Sequence, residues 1–138
     1  MDNKELIRLA LEARQSAYAP YSHFCVGAAL LTKQGTVYTG CNIENAAYTP
    51  SNCAERTAFF KAVSAGERDF EAIAIVGGLA NARELDYCAP CGVCRQVMME
   101  FCSPDTFRIV LGKTPDEALE YTLKQLLPLG FGPANLKE

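Results

Sequence analysis

Apolar side chains recur at helical spacing at the start of the chain, where Leu6, Ile7, Leu9, Ala10, Ala13 and Ala17 share one face. The pattern predicts an amphipathic helix, capped by Asp2 or Asn3 and ended by Pro20. The period then changes. FCVGAALLT and TVYTGCNI flank KQG and predict a β-hairpin whose second strand delivers Asn42, Ile43 and Glu44 at its exit. A loop, ENAAYTPSN, leads into CAERTAFFKAVSAG, a predicted helix capped by Ser51 or Asn52 and stopped by Gly66. EAIAIVGG reads as a strand, LANARELDYCAP as a loop, CGVCRQVMMEFC as a helix starting just after Pro90, and TFRIVLG as a further strand. The stretch TPDEALEYTLKQLLP reads two ways. Propensity favours helix, while ALEYTL also suits an edge strand followed by a short helix at KQLL. The glycine- and proline-punctuated LGFGPANLKE is expected to pack against another surface. Strands and helices alternate, which predicts an α/β layered fold.

Composition narrows the function classes. The 138 residues show no repeat, low-complexity segment or linker, so a single domain spanning 1–138 is expected. Net charge is −3, with no basic stripe, which argues against duplex nucleic acid as a partner. The longest near-apolar stretch, 25–31, is far too short to cross a membrane. MDNKELIRLALEARQSAY carries charges throughout and reads as neither a secretory signal nor a transit peptide, so a cytoplasmic protein is expected. Seven cysteines in such a chain make an odd number, a poor basis for a disulfide scaffold. Reduced thiols point instead to metal binding, catalysis or burial.

The thiols are patterned. In SNCAERTAFF, Cys53 stands two residues before Glu55, and in CAPCGVC, Cys91 and Cys94 have the spacing by which a tight turn presents two thiolates to one ion. Cys53 and the Cys91–Cys94 pair fall at predicted helix starts, where the partial positive charge favours thiolate. Three thiolates on zinc leave a net charge of about −1, which the helix ends and a folded-back Arg56 would offset. Three protein ligands also leave a fourth position open to water, as in catalytic rather than structural sites. Glu55, on the same helical turn as Cys53, is placed to serve that water as a general base. Cys88 stands three residues before Cys91, so a closed four-cysteine structural site is the alternative.

Cys-x-Glu followed by Pro-Cys-x-x-Cys resembles the zinc-dependent base deaminases. With YAPYSHFCVGAAL, TGCNIENAAY, NCAERTA, PCGVCRQ and LLPLGFGP, nearly the whole chain closely resembles the small homotetrameric cytidine deaminases. The first two motifs identify only the superfamily; Asn-Ile-Glu-Asn-Ala and the tail narrow it to free cytidine. The resemblance implies a three-layer α/β/α sandwich on a five-stranded mixed sheet, with a strand near 118–122. It implies Cys53, Cys91 and Cys94 as ligands of one zinc per chain and Glu55 as the proton shuttle. It implies Asn42 and Glu44 as ribose binders, Phe24 against the pyrimidine, and the Ala54 N–H and Ala89 carbonyl on the base edge. Ala46, Tyr48 and Phe131 would reach into a neighbouring subunit's site. The implied reaction is hydrolytic deamination of cytidine and 2′-deoxycytidine, with release of ammonia, in pyrimidine salvage.

Other residues read more plainly. His23, the sole histidine, suits a structural turn; Cys25, Cys41 and Cys102 suit buried apolar positions. Arg95 and Gln96 belong to the motif without an assigned role. The rivals are a deaminase of an aminopyrimidine antibiotic such as blasticidin S, a nucleic-acid or nucleotide deaminase, and a zinc-stapled structural module. Glu44 after Asn42 argues against the first, the acidic balance against the second, and a Glu55 left without a task against the third.

Overall fold

The structure, a computed structural model, describes residues 1–137. In chain order it contains α1 (Asn3–Arg14), β1 (Phe24–Thr32), β2 (Val37–Cys41), α2 (Ala54–Ser64), β3 (Phe70–Leu79), α3 (Gly92–Phe101), β4 (Arg108–Thr114), β5 (Glu117–Thr122) and α4 (Leu123–Leu126), with a 3-10 turn at Pro133–Leu136. The five strands form one sheet in the order β2-β1-β3-β4-β5. Only β3 and β4 run parallel; the other pairs are antiparallel, so the sheet is mixed.

The two-residue period of the strands divides the core into two layers. On one face Leu6, Ile7 and Ala10 of α1 pack on Ala29, Leu31, Ala72, Ala74, Val76 and Val110. On the other, α2 and α3 cover Ala28, Leu30, Ile73, Ile75, Ile109 and Leu111, with Phe59 and Met98 filling the space between. This is the expected α/β/α sandwich. Strand residues from Gly27 to Leu31 are buried on both faces, which explains their unbroken apolar run. Two glycines permit the close approach of helices to the hairpin. A Cβ on Gly27 would lie 2.0 Å from the Ala10 carbonyl oxygen, and one on Gly40 would lie 2.5 Å from that of Ala54. The hairpin is thus gripped by α1 on one side and by the first turn of α2 on the other.

Two sequence expectations need correction. The first helix ends at Arg14, well before Pro20. The backbone of Tyr18 is taken by the fold instead: its N–H donates to the Asn42 carbonyl at 2.9 Å, and its carbonyl accepts from Glu44 N–H at 2.8 Å. The N-cap of α2 is Cys53, rather than Ser51 or Asn52. The backbones of Asn52 and Ile43 pair in both directions at 2.9 Å, which draws Asn52 into a bridge and moves the cap one residue on. Residues 117–122, which read two ways on propensity, form the edge strand that the resemblance implies. Most of its side chains are exposed, so no apolar alternation betrays it. Its backbone pairing with β4 decides the matter. Thr122 then caps α4 in a reciprocal capping box with Gln125.

Candidate metal centre and cleft

Two helix starts converge on one point. Cys53 is the N-cap of α2 and Cys91 the N-cap of α3, both with extended backbones, and Cys94 follows in the first turn of α3. The cap carries Cys91 Sγ within 3.5 Å of the Cys94 N–H. Ligands about 2.3 Å from a tetrahedral zinc stand about 3.8 Å apart. Here the Cys53 and Cys91 sulfurs are 3.7 Å apart, those of Cys91 and Cys94 are 3.5 Å apart, and all three lie within 4.8 Å of one another. The donor set therefore fits zinc in element and in spacing.

Electrostatics agrees. Cys53 is held down to about 5, chiefly by the Cys94 thiol donating to it, then by Arg56 and Cys91. Cys94 is pushed up for the complementary reason, because it gives that hydrogen bond and is desolvated. Three packed sulfurs cannot all ionise alone, so a cation must take the place of their protons. Arg56 folds back along the first turn of α2 and donates from Nη2 to Cys53 Sγ at 3.3 Å.

Glu55 is only 4 % exposed and has no cationic side chain bonded to it. Burial raises its carboxyl to about 7, and the charge on Cys53 adds to the effect. A carboxyl that exchanges protons near neutrality is suited to general acid–base work. Glu55, Cys53 and Cys91 line one cleft of about 250 Å³ together with Phe24, Asn42, Glu44, Ala54 and Ala89. The eight are thereby gathered from the start of β1, from loops and from helix starts that lie far apart in sequence. A larger cleft of about 570 Å³ lies elsewhere, lined by Arg14, Arg83, Glu84, Lys113 and Glu117 among others, and holds no reactive cluster.

Asn42 and Glu44 carry structural bonds as well. The Asn42 amide accepts from Val26 N–H at 2.9 Å and donates to the Phe24 carbonyl at 2.7 Å, which fixes the start of β1. One N–H and one lone pair remain. The Glu44 carboxylate accepts from the N–H groups of Tyr21 and Ser22 at 3.0 and 3.1 Å and from the Ser22 hydroxyl. These bonds, the hydroxyl foremost, lower its pKa. Sequence reasoning passed over Ser22 because a lone serine in a turn carries no signal.

Ala46, Tyr48 and Phe131 do not line this cleft. Tyr48 is 74 % exposed and Phe131 57 %, and Ala46 is likewise on the surface. Cys88 lies in the cleft wall but outside the sulfur cluster, with burial holding its thiol up at about 11. The cluster therefore has three members among the described residues, which disfavours the closed four-cysteine site. His23 adopts a left-handed backbone with φ 59° in the turn before β1. Cys25, Cys41 and Cys102 are half-buried and stand apart from the cluster.

Three thiolate ligands beside a buried carboxyl are the donor set of a site that could activate water for hydrolysis, the chemistry of the hydrolytic metalloenzymes. Comparison with known proteins narrows the class. The family described as the cytidine and deoxycytidylate deaminase zinc-binding region matches residues 1–110. The chain is 49% identical to a cytidine deaminase of Halalkalibacterium halodurans over 138 residues, 100% of both chains. It is 32% identical over 130 residues to a blasticidin-S deaminase of Bacillus cereus, covering 92% of this chain and 90% of that one. The crystal structure of a cytidine deaminase from Burkholderia pseudomallei superposes with a TM-score of 0.85 at 48% identity, covering 95% of this chain and 100% of that one. The chain belongs to the cytidine deaminase family and is a zinc-carrying hydrolytic deaminase. Among the described residues no helix is long and apolar enough to cross a membrane.

Proposed function

We propose that this chain deaminates cytidine and 2′-deoxycytidine, giving uridine or 2′-deoxyuridine and ammonia. The observation that carries the reading is a buried carboxyl, Glu55, poised near neutrality in a cleft wall it shares with Cys53 and Cys91. Bound by Cys53, Cys91 and Cys94, zinc supplies the Lewis acidity that brings the pKa of a water toward 7. Glu55 takes the proton of the attacking water and delivers it to N3 of the ring. As the new C4–O bond forms, aromaticity is lost. Glu55 then moves the proton of the new C4 hydroxyl to the amine; as the C4–N bond breaks, ammonia departs and C4 is left as the carbonyl of uridine.

The rest of the cleft binds and orients. Phe24, at its mouth, packs against the pyrimidine. The Ala54 N–H is one of the unpaired donors of the α2 start, and with the Ala89 carbonyl it reads the base edge. The free N–H of Asn42 and the remaining capacity of Glu44 hold the ribose hydroxyl. Arg56 draws charge from Cys53 and so limits the loss of Lewis acidity that three thiolates impose. Ala46, Tyr48 and Phe131, exposed on this chain, complete the sites of neighbouring subunits in a homotetramer. The chain acts as one domain, 1–138, in the cytoplasm, salvaging pyrimidine nucleosides.

The test is ultraviolet absorbance of cytidine incubated with the purified protein and with Glu55→Gln. Loss of the cytosine band with the wild type alone supports both the substrate and the role of Glu55. If cytidine stays intact while blasticidin S is consumed, the antibiotic is the substrate. If neither reacts with one zinc bound per chain, the site is structural.

A further inference from the structure

The two residues after Cys94 remain without a role in binding or proton transfer, yet both side chains reach across the molecule. Arg95, half-buried, donates from Nε to the Pro90 carbonyl at 2.8 Å and from Nη1 to the Leu126 carbonyl at 2.6 Å. Gln96 donates from Nε2 to the Phe131 carbonyl at 2.8 Å. The bonds to Pro90 and Phe131 anchor segments outside the strands and helices, and the bond to Leu126 ties the end of α4.

Pro90 is buried and its carbonyl belongs to the peptide that enters Cys91. The stretch from Tyr87 to Cys91 lies in no strand or helix, and it contains Ala89 and Cys91 of the cleft wall. On the other side, the arm from Pro128 to Phe131 lies between α4 and the 3-10 turn. Among the described hydrogen bonds, its main chain is held by Gln96 alone, with Arg95 at its root. Leu129 at its tip has a left-handed backbone, φ 57°, and is fully exposed. Gly130 and Gly132 bring the arm down onto Met99 of α3: a Cβ at either would come within 3.1 Å of the Met99 side chain.

We propose that Arg95 is a positioning residue that couples this arm to the loop carrying Ala89 and Cys91, while Gln96 fixes the arm alone. The planar guanidinium suits the task because it offers donors in two fixed directions, whereas a lysine ammonium cannot hold both carbonyls at the same spacing. Its loss leaves a buried carbonyl unpaired directly before a metal ligand. The inference rests on the cleft's being the cytidine site, so wild-type turnover is the control. Without it that reading fails, and the coupling is judged on metal release and hydrogen exchange alone.

Three measurements on holo wild type, Arg95→Ala, Arg95→Lys and Gln96→Ala test it: KM and kcat for cytidine, the rate of zinc release to a chromophoric chelator, and hydrogen exchange of residues 127–132. Expected for Arg95→Ala are a KM raised about tenfold, metal release faster by a similar factor, and faster exchange in the arm. Arg95→Lys recovers part of this, to about threefold. Gln96→Ala speeds exchange in the arm while zinc release stays at the wild-type rate. General destabilisation would not separate the two variants in this way. The proposal is overturned if folded Arg95→Ala keeps KM and zinc release within about twofold of wild type, or if Gln96→Ala speeds zinc release as much as Arg95→Ala does. Should Arg95→Ala fail to fold, Arg95→Lys decides, and wild-type KM and zinc release in that variant would overturn it.

Discussion

The two ends of the cleft are built differently. The inner end stands on helix starts: Cys53 and Glu55 on α2, Cys91 and Cys94 on α3, packed over the sheet, with Glu55 and Cys94 buried, Cys53 half-buried and Cys91 exposed. The outer end stands on the start of β1 and on a loop: the Asn42 amide donates to the Phe24 carbonyl, and the Glu44 carboxylate accepts from the N–H groups of Tyr21 and Ser22, while Tyr48 and Phe131 lie on the open surface outside the cleft. Within one chain the three inner sulfurs come together, whereas Tyr48 and Phe131 stay outside the cleft. Bond-making chemistry needs charges fixed in a low dielectric, which rigid helix starts supply. Substrate recognition needs access, and the rim leaves it open.

If that division is real, inner substitutions should act on kcat and outer ones on KM. The largest effect is expected for Glu55→Gln, which keeps the shape but removes the proposed proton carrier; kcat should fall about a thousandfold or more with zinc retained. Retained turnover in a stopped assay would break the comparison at its centre. In the metal-free protein the same substitution should raise stability. Glu55 holds its proton to about 7 in the fold against 4.5 when unfolded, so the wild type loses stability as pH rises through that window. The gain in a urea titration should be near zero below the unfolded value and reach about 3 kcal/mol at pH 8.

Next is Glu44→Ala at the rim, which removes the proposed sugar contact together with the anchor of the Tyr21–Ser22 turn. Catalytic efficiency on cytidine should fall about a hundredfold, carried mainly by KM. A fall confined to kcat would merge the two ends into one. Arg56→Ala returns the comparison to the metal. Rate should drop about tenfold while zinc content, measured by atomic absorption, changes less. Equal losses would make Arg56 a holder of metal rather than a moderator of its charge. The smallest effect is expected for Phe131→Ala, a KM increase of about fivefold with kcat little changed. Unchanged KM together with an unchanged oligomer in sedimentation would remove the shared-site reading of the rim.

The inner end was also the more legible in sequence. Cys53 and Glu55, like Cys91 and Cys94, lie within one helical turn of each other, so their spacing alone reports that they are neighbours. The rim was legible only through resemblance. Nothing local about Phe24 distinguishes it from a core phenylalanine, and Asn42 and Glu44 read as an amide and an acid leaving a strand. Ser22, Arg95 and Gln96 act through carbonyls and carboxylates up to 35 residues away, and such partners leave no periodic trace.

What the sequence by itself determined is local: the helix that starts at a cysteine, the acid that follows it, the thiol pair and the alternation of strands and helices. Tertiary structure decided which cysteines meet. Cys53 and Cys91 are 38 residues apart and touch because α2 and α3 cover the same face of the sheet. Cys88, three residues from Cys91, is left out because its side chain turns against Gly77 of β3. It also decided that the first helix stops at Arg14, whose guanidinium donates to the carbonyls of Cys25, Gly78 and Leu79 at 2.8 to 2.9 Å. Propensity and spacing describe a chain against itself, whereas these choices were made by backbone groups that only the folded sheet brings within reach.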